Sequence, residues 1–143
     1  MSNSKLVANA SLTIDAPRAK VWEALISPEA IREYMFGSVV TTDWREGSPI
    51  TWKGKWEGED HDDKGTILQA RPELSLQYTH FSNLSGLRDE KDNYHTITIE
   101  LSGEGDHTWI AVAQDNICSV HSREDCERVW MQILIALKMY IER

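Results

Sequence analysis

The chain has 143 residues, of which 41% are hydrophobic and 27% are charged. This composition is typical of a soluble globular domain and excludes a disordered chain. Acidic residues outnumber basic ones by 23 to 15, and the net charge of −8 argues against nucleic acid or an anionic membrane as a partner, because Lys and Arg bind such surfaces. The length predicts a single domain over residues 1–143.

The sequence also predicts a cytoplasmic protein. No run approaches the roughly 18 consecutive apolar residues of a membrane span, and the first residues lack the apolar segment of a secretion signal. The two cysteines, Cys118 and Cys126, are expected to be free thiols, as is usual in the cytosol.

The first part of the chain predicts one strand followed by two short helices. Apolar and polar residues alternate over 6–14, which is the period of a half-buried strand. After Pro17, apolar residues recur at helical spacing. Ser27 and Pro28 then provide the cap and the first turn of a second helix.

The middle of the chain contains strand patterns only. The segments between these strand patterns are short and have no helical pattern, so the strands that they connect must be antiparallel neighbours. The segment 58–63 is interpreted as one of the connecting loops. In the last strand we expect Ile110, Val112 and Gln114 to point inward. The strands are predicted near 38–43, 50–57, 64–71, 74–81, 94–102 and 107–115.

The C-terminal segment predicts a helix of about twenty residues, roughly 30 Å long. We expect Ser122 to cap its first turn, with Asp125 completing a variant of the capping box. A broad apolar stripe follows at helical spacing, formed by Cys126, Val129, Trp130, Ile133, Leu134, Leu137, Tyr140 and Ile141.

These elements predict an α+β architecture. An antiparallel sheet with one apolar face must bury that face, and the terminal helix is the only predicted element large enough to cover it. A curved sheet of about seven strands around one helix leaves space between them, because the helix is narrower than the concave face of the sheet.

Several short motifs, in this order, resemble those of START-like (SRPBCC) domains, and in particular of the homologues of the activator of the ninety-kilodalton heat-shock protein's ATPase. The resemblance implies a helix-grip fold, with two short helices after the first strand. Two positions depart from the family pattern: His80 stands where Trp is frequent, and Val129 replaces a Gly. The motifs are Ile14-Asp15-Ala16-Pro17, Val21-Trp22-Glu23-Ala24-Leu25, Ser27-Pro28-Glu29, Asp43-Trp44-Arg45-Glu46-Gly47-Ser48-Pro49, Gly65-Thr66-Ile67, Arg71-Pro72-Glu73-Leu74 with Leu76-Gln77-Tyr78-Thr79, and Val129-Trp130 with Leu134 to Leu137.

The space between sheet and helix is the first candidate site. A pocket that is mostly apolar, with a few polar groups, suits a hydrophobic or aromatic small molecule. The alternative is that the same side chains simply fill the core. The expected ligand-binding residues are Trp52, Trp56, Tyr78, His80 and Gln114 from the sheet, and Trp130, Ile133, Leu134 and Leu137 from the helix.

His80 is the titratable side chain of most interest, because it is the only histidine placed on an inward strand position. It could serve acid–base chemistry or could be a structural histidine bonded to backbone. No carboxylate is placed beside it by the sequence, so no catalytic residue is assigned.

No metal or cofactor is expected. The run from Asp60 to Asp63 is interpreted as a solvated turn. Cys118, His121 and Cys126 lack a fourth ligand, and the predicted helix cap falls between them. Neither a glycine-rich phosphate loop nor a serine-nucleophile motif occurs in the sequence.

Three functions follow as hypotheses. The first is a module that binds a hydrophobic small molecule. The second is an enzyme similar to the aromatic-polyketide cyclases of the family, with His80 and Tyr78 orienting a substrate. The third is a chaperone cofactor, as the family name implies. In addition, Met131, Ile135 and Met139 form a second apolar line on the terminal helix, which suggests contact with another chain, in a homodimer or with a different partner.

Overall fold

The described residues, 5–143 of a computed structural model, form one curved antiparallel sheet and three α-helices. The strand order is β1-β7-β6-β5-β4-β3-β2, so β1 and β2 are the two edges. This confirms the predicted α+β helix-grip architecture. The strands are β1 (Leu6–Ile14), β2 (Val39–Thr41), β3 (Pro49–Trp56), β4 (Glu59–Arg71), β5 (Ser75–His80), β6 (His95–Ser102) and β7 (Thr108–Ile117), and the helices are α1 (Arg18–Ile26), α2 (Pro28–Tyr34) and α3 (Val120–Glu142).

The core lies between the concave face of the sheet and the helices. Ile110 and Val112 of β7 are buried, so the predicted inward parity of this strand is confirmed. The first short helices also follow the prediction, since Ser27 accepts a hydrogen bond from the backbone N–H of Ala30 and Pro28 opens α2. The buried residues of α3 are Trp130, Leu134, Leu137 and Ile141.

The predicted loop over residues 58–63 is wrong. Strand β4 begins at Glu59, and its first part pairs with the whole length of β3, from Trp56 opposite Glu59 to Pro49 opposite Thr66. The connection is a tight turn at Glu57 and Gly58, which both have positive φ, of 51° and 82°. Turns of that type match the twist of a two-stranded ribbon, and they need only two residues.

The predicted cap of α3 is also displaced. The helix begins at Val120, and the side chain of Ser119 accepts a hydrogen bond of 3.1 Å from the backbone N–H of Ser122. Ser122 therefore lies in the first turn and is not the cap. Both serines occur in the same short polar segment, and the pattern of the stripe alone does not distinguish them.

Side chains of α3 form hydrogen bonds with backbone groups along the free edge of β1. Glu127 accepts from the N–H of Asn9 at 2.9 Å, and Glu142 accepts from the N–H of Asp15 at 2.8 Å. Lys138 donates to the carbonyl oxygen of Thr13 at 3.0 Å. The hydrogen bond from the Asp15 backbone lowers the pKa of Glu142. The helix thus covers the edge strand as well as the concave face.

The second apolar line of α3 is only partly exterior. Ile135 and Met139 are exposed, Met139 to 68%, whereas Met131 is half-buried and packs against the core.

Within residues 5–143, no helix combines the length and the hydropathy that crossing a membrane requires.

Candidate functional site

A pocket of about 470 Å³ lies between the first half of α3 and the concave face of the sheet. Its other walls come from five strands, β3 to β7, from the residues after α2 and from the segment after β5. Aromatic and aliphatic side chains predominate, and the polar ones gather at one side. The lining residues are Met35, Phe36, Ser38, Trp52, Trp56, His61, Asp63, Tyr78, His80, Ser82, Leu84, Ser85, Ile97, Gln114, Asp125, Cys126, Val129, Trp130 and Ile133.

Aromatic rings on β3 and β5, the two strands that flank β4, form the floor of the pocket. The ring of Trp52 lies 5.1 Å from that of Tyr78 and 5.2 Å from that of His80, the latter edge to face. These separations are typical of favourable aromatic pairs. Burial raises the pKa of Tyr78, so its hydroxyl stays protonated across the physiological range.

Within the pocket, a side-chain hydrogen bond joins the helical wall to the sheet. The indole N–H of Trp130 donates a 2.7 Å hydrogen bond to the side-chain oxygen of Gln114 on β7. A buried indole N–H needs such a partner, and the bond holds the ring in one orientation. Cys126 lies one turn earlier, and burial, followed by the charge of Glu127, raises the pKa of its thiol to about 11.

The mouth of the pocket is bordered by a second aromatic pair. Phe36 and Trp56 have ring centroids 5.8 Å apart and are 43% and 37% exposed. Phe36 follows α2 and Trp56 ends β3, so the pair joins two elements that are far apart in the chain. A ligand entering here would first meet apolar surface.

Polar side chains form one side of the pocket, here called the polar corner: Ser38, His61, Asp63, His80 and Ser82. His80 Nε2 lies 2.9 Å from Asp63 Oδ2, within hydrogen-bonding distance. His61 Nδ1 lies 3.5 Å from Asp63 Oδ1, and His61 Nε2 lies 3.4 Å from the hydroxyl of Ser38. A single carboxylate therefore lies between two imidazoles.

Two features of β4 bring the corner together. His61, Asp63 and Gly65 share the inward side of the strand with buried Ile67. Gly65 permits the close approach of β5, because a Cβ atom at this position would lie 1.7 Å from the carbonyl oxygen of Thr79. The missing side chain thus allows the strand carrying His80 to reach the strand carrying Asp63.

The polar corner is largely shielded from water. The side chains of His61, Asp63 and His80 are 10%, 16% and 23% exposed. Burial alone would raise the pKa of Asp63, but the hydrogen bond and charge of His80, the hydrogen bond of Ser82 and the charge of His61 together outweigh it, and the pKa is lowered. Asp63 Oδ1, His61 Nδ1 and His80 Nδ1 are buried without a hydrogen-bond partner. Buried polar atoms seldom lack partners in folded proteins.

The structure brings together seven of the nine residues expected at the site. Trp52, Trp56, Tyr78, His80, Gln114, Trp130 and Ile133 line the pocket. Leu134 and Leu137 do not, because they lie deeper in the core and are almost completely buried.

Sequence reasoning missed the carboxylate beside His80. Asp63 and His61 were assigned to a solvated turn, yet both point into the pocket from β4. A strand whose two faces are both polar, such as Glu59 to Lys64, shows no alternation of polar and apolar residues and cannot be recognised from it. The glycine at position 58 was the available signal, since a Glu-Gly pair can make a two-residue hairpin turn.

The other candidate clusters do not assemble. Cys118 is exposed and Cys126 lies on the pocket wall; both are free thiols. Over residues 5–143, no group of three or more His, Cys, Asp or Glu side chains has the arrangement of a metal site.

Comparison with solved structures places this geometry in a known fold. The structure of ChR145 from Cytophaga hutchinsonii is 45% identical, with a TM-score of 0.85, and the match covers 99% of this chain and 97% of that one. The Aha1 dimer from Colwellia psychrerythraea is 18% identical, with a TM-score of 0.75 and 96% of each chain covered. CalU16 from Micromonospora echinospora is 20% identical, with a TM-score of 0.69, over 99% of this chain and 87% of that one.

Sequence comparison identifies the family. No curated protein matches the chain. The family model described as "Activator of Hsp90 ATPase homolog 1-like protein" matches residues 15–142, from the end of β1 to the end of α3. The chain belongs to this family, the one that its sequence motifs resemble.

Proposed function

We propose that the protein binds a small, largely apolar or aromatic molecule in the pocket between α3 and the sheet. The observation that carries this proposal is the unfilled volume of about 470 Å³ walled by indole and aliphatic side chains. Small-molecule sites usually measure about 300–1,000 Å³ and combine apolar walls with a few polar groups. A core that was simply filled by the same side chains would leave no space of this size.

Saturable binding of a neutral apolar fluorophore tests the proposal. N-phenyl-1-naphthylamine is titrated with the unaltered protein, and one-site saturation with enhanced emission is expected. Ile133→Trp adds bulk to the pocket wall and should weaken binding at least about tenfold, since the ring occupies the ligand's space. Ile135→Trp is the matched control, because Ile135 lies on the exposed side of the same helix.

Two results would contradict the proposal. One is the absence of saturable binding to the folded, unaltered protein. The other is an equal affinity of the Ile133→Trp variant and the unaltered protein. Near-ultraviolet circular dichroism shows that each variant keeps fixed tertiary packing, which separates pocket binding from dye uptake by a loosened core.

A cyclase-like enzyme using the same pocket is the second candidate, and the His80–Asp63 pair favours it. If His80 Nε2 carries the proton that is donated to Asp63, Nδ1 is left with a free lone pair. Such an imidazole can take a proton from an acidic carbon between two carbonyl groups, and the carboxylate stabilises the imidazolium that forms. Tyr78 stays protonated and could donate a hydrogen bond to the substrate oxygen.

Turnover of a poly-β-carbonyl substrate tests this second candidate. His80→Gln should abolish turnover while the fold is retained, since glutamine cannot take up the proton. His107→Gln is the control, because His107 is an exposed histidine outside the pocket. Undiminished turnover in the His80→Gln variant would remove the catalytic role.

A co-chaperone role remains the third candidate, supported by the family description alone. It would use the exterior of the molecule. Stimulation of a heat-shock protein ATPase to the same degree by the unaltered protein and by Ile133→Trp would favour it over pocket binding; no stimulation by either would count against it.

Self-association through the exposed part of the second apolar line is a separate proposal. Ile135 and Met139 support it by their exposure, and Met131 contributes less than expected because it is half-buried. We expect a dimer that dissociates in the Met139→Glu variant, as measured by analytical ultracentrifugation. A monomeric unaltered protein would contradict the proposal.

The cytoplasmic location also stays a prediction.

A further inference from the structure

We infer that the pocket selects organic cations, that is, apolar or aromatic molecules carrying an amine, over neutral and anionic molecules of the same shape. This inference rests on the proposed function, since it specifies the class of ligand bound in the same pocket. It is carried by the charges, the unpartnered atoms and the rings that line the cavity.

The charges lining the pocket are unbalanced. Asp63 and Asp125 contribute carboxylates, and no lysine or arginine is among the described residues that line the pocket. Asp125 is at the rim and is paired with Arg128 at 2.8 Å and with His121 at 3.4 Å, so its charge is compensated. Asp63 has two imidazoles and the Ser82 hydroxyl beside it, and none of these groups carries a permanent positive charge. When those rings are neutral, the polar corner carries one net negative charge.

Asp63 is also incompletely satisfied. Its Oδ2 contacts His80, whereas its Oδ1 is buried without a hydrogen-bond partner. An ionised oxygen in that state costs free energy, because it has lost water and the 3.5 Å separation from His61 Nδ1 is too long to replace that hydration. A ligand N–H carrying positive charge would supply both the missing donor and the opposite charge.

Aromatic faces around the pocket favour the same ligand. Trp52, Tyr78 and Trp130 line the interior, and Phe36 and Trp56 border the mouth. The negative face of an aromatic ring attracts a cation, most strongly for Trp. A carboxylate at the end of an aromatic pocket is therefore complementary to an ammonium group on an apolar body.

The same pocket disfavours an anionic ligand. Its carboxylate would lose water and would lie near Asp63, and residues 5–143 place no lysine or arginine in the pocket wall to pair with it. Both effects oppose binding.

Three ligands with one ring system test the inference. The affinities of 1-naphthylmethylamine, 1-naphthalenemethanol and 1-naphthoic acid are measured by displacement of N-phenyl-1-naphthylamine at pH 8, where free imidazole is neutral. We expect the amine to bind about tenfold more tightly than the alcohol, and the acid to bind most weakly.

Two variants separate the Asp63 charge from the general charge of the protein. Asp63→Asn keeps the shape and removes the charge, so the amine should lose its advantage while the affinity of the alcohol stays the same. Asp62→Asn is the matched control: it removes one charge from the neighbouring residue of β4, whose side chain is exposed. It should preserve the order amine, alcohol, acid.

The outcomes are distinguishable. Equal binding of amine and alcohol by the unaltered protein would overturn the inference while leaving the proposed function in place. Binding of none of the naphthalenes and no uptake of the fluorophore would overturn the proposed function itself. If Asp63→Asn fails to fold, the ranking of the three ligands on the unaltered protein still decides the question.

Discussion

The two halves of α3 carry similar apolar stripes but have different surroundings. In the second half, Leu134 and Leu137 are almost completely buried in the core. In the first half, and up to Ile133 at the junction of the two halves, side chains such as Cys126 and Val129 face the pocket. The short helices account for the difference, since α1 and α2 contact α3 and Glu33 of α2 pairs with Arg143 at the end of the chain.

This comparison shows what an apolar stripe does and does not predict. Its spacing indicates which side of a helix turns away from water. It does not indicate whether protein side chains or an open cavity lie opposite. That depends on where the two short helices end, which is a property of the tertiary structure.

The largest expected effect is the loss of packing in the filled half. Leu137→Ala should destabilise the protein by about 2–5 kcal/mol, because it creates a cavity in a closed core. Ile133→Ala, at the pocket wall, should cost clearly less, since its side chain already borders open space. Urea unfolding measures both. Equal losses for the two variants would mean that the halves of α3 do not differ as described.

Gly65→Ala should have the next largest effect, in the sheet opposite the open half. A Cβ atom would collide with the backbone of Thr79, so β4 and β5 must separate, at a cost of about 1–3 kcal/mol. Gly54→Ala is a milder control, since its nearest neighbour is the movable His61 ring at 3.0 Å. A Gly65→Ala variant as stable as the unaltered protein would contradict the close approach of the strands.

A smaller effect is expected where the two walls of the pocket are joined. Trp130→Phe removes the donor to Gln114 and should destabilise the protein by about 1 kcal/mol. The amide proton signals of the Gln114 side chain, followed by NMR, should shift at the same time. Unchanged signals would show that the hydrogen bond does not form in solution.

The smallest effect concerns acid stability. Because the folded-state pKa of Asp63 is lowered, its contribution to stability is present above the ordinary Asp pKa of about 3.9 and is lost as the pH falls through the folded-state value. The stability difference between the unaltered protein and Asp63→Asn should therefore shrink from pH 7 to pH 3 in urea unfolding. The Asp62→Asn difference should change less. A difference that is constant with pH would mean that Asp63 is not stabilised as an anion.

The sequence predicted those parts of the fold in which polarity alternates clearly. The stripe of α3, the parity of β7 and the cap at Ser27 each have an apolar periodicity or a capping residue as a local signal. The predicted start of α3 at Ser122 failed because Ser119 offers the same chemistry three residues earlier.

The polar corner could not be predicted in the same way. His80 was recognised because it continues the alternation of the inward residues Leu76 and Tyr78 at the end of β5. Asp63 was not recognised, because the start of β4 is polar on both faces and resembles a loop. Only the pairing with β3, which places Trp52 opposite Asp63, shows that this carboxylate points inward.

The contacts of α3 with β1 leave the two borders of the sheet unequal. A foreign strand can extend a sheet only by bonding to open N–H and C=O groups. Such groups of Asn9 and Thr13 on β1, and of Asp15 directly after it, already bind side chains of the helix. Strand addition there would first have to displace Glu127, Lys138 and Glu142. The terminal helix thereby protects this edge of the sheet from amyloid-like growth.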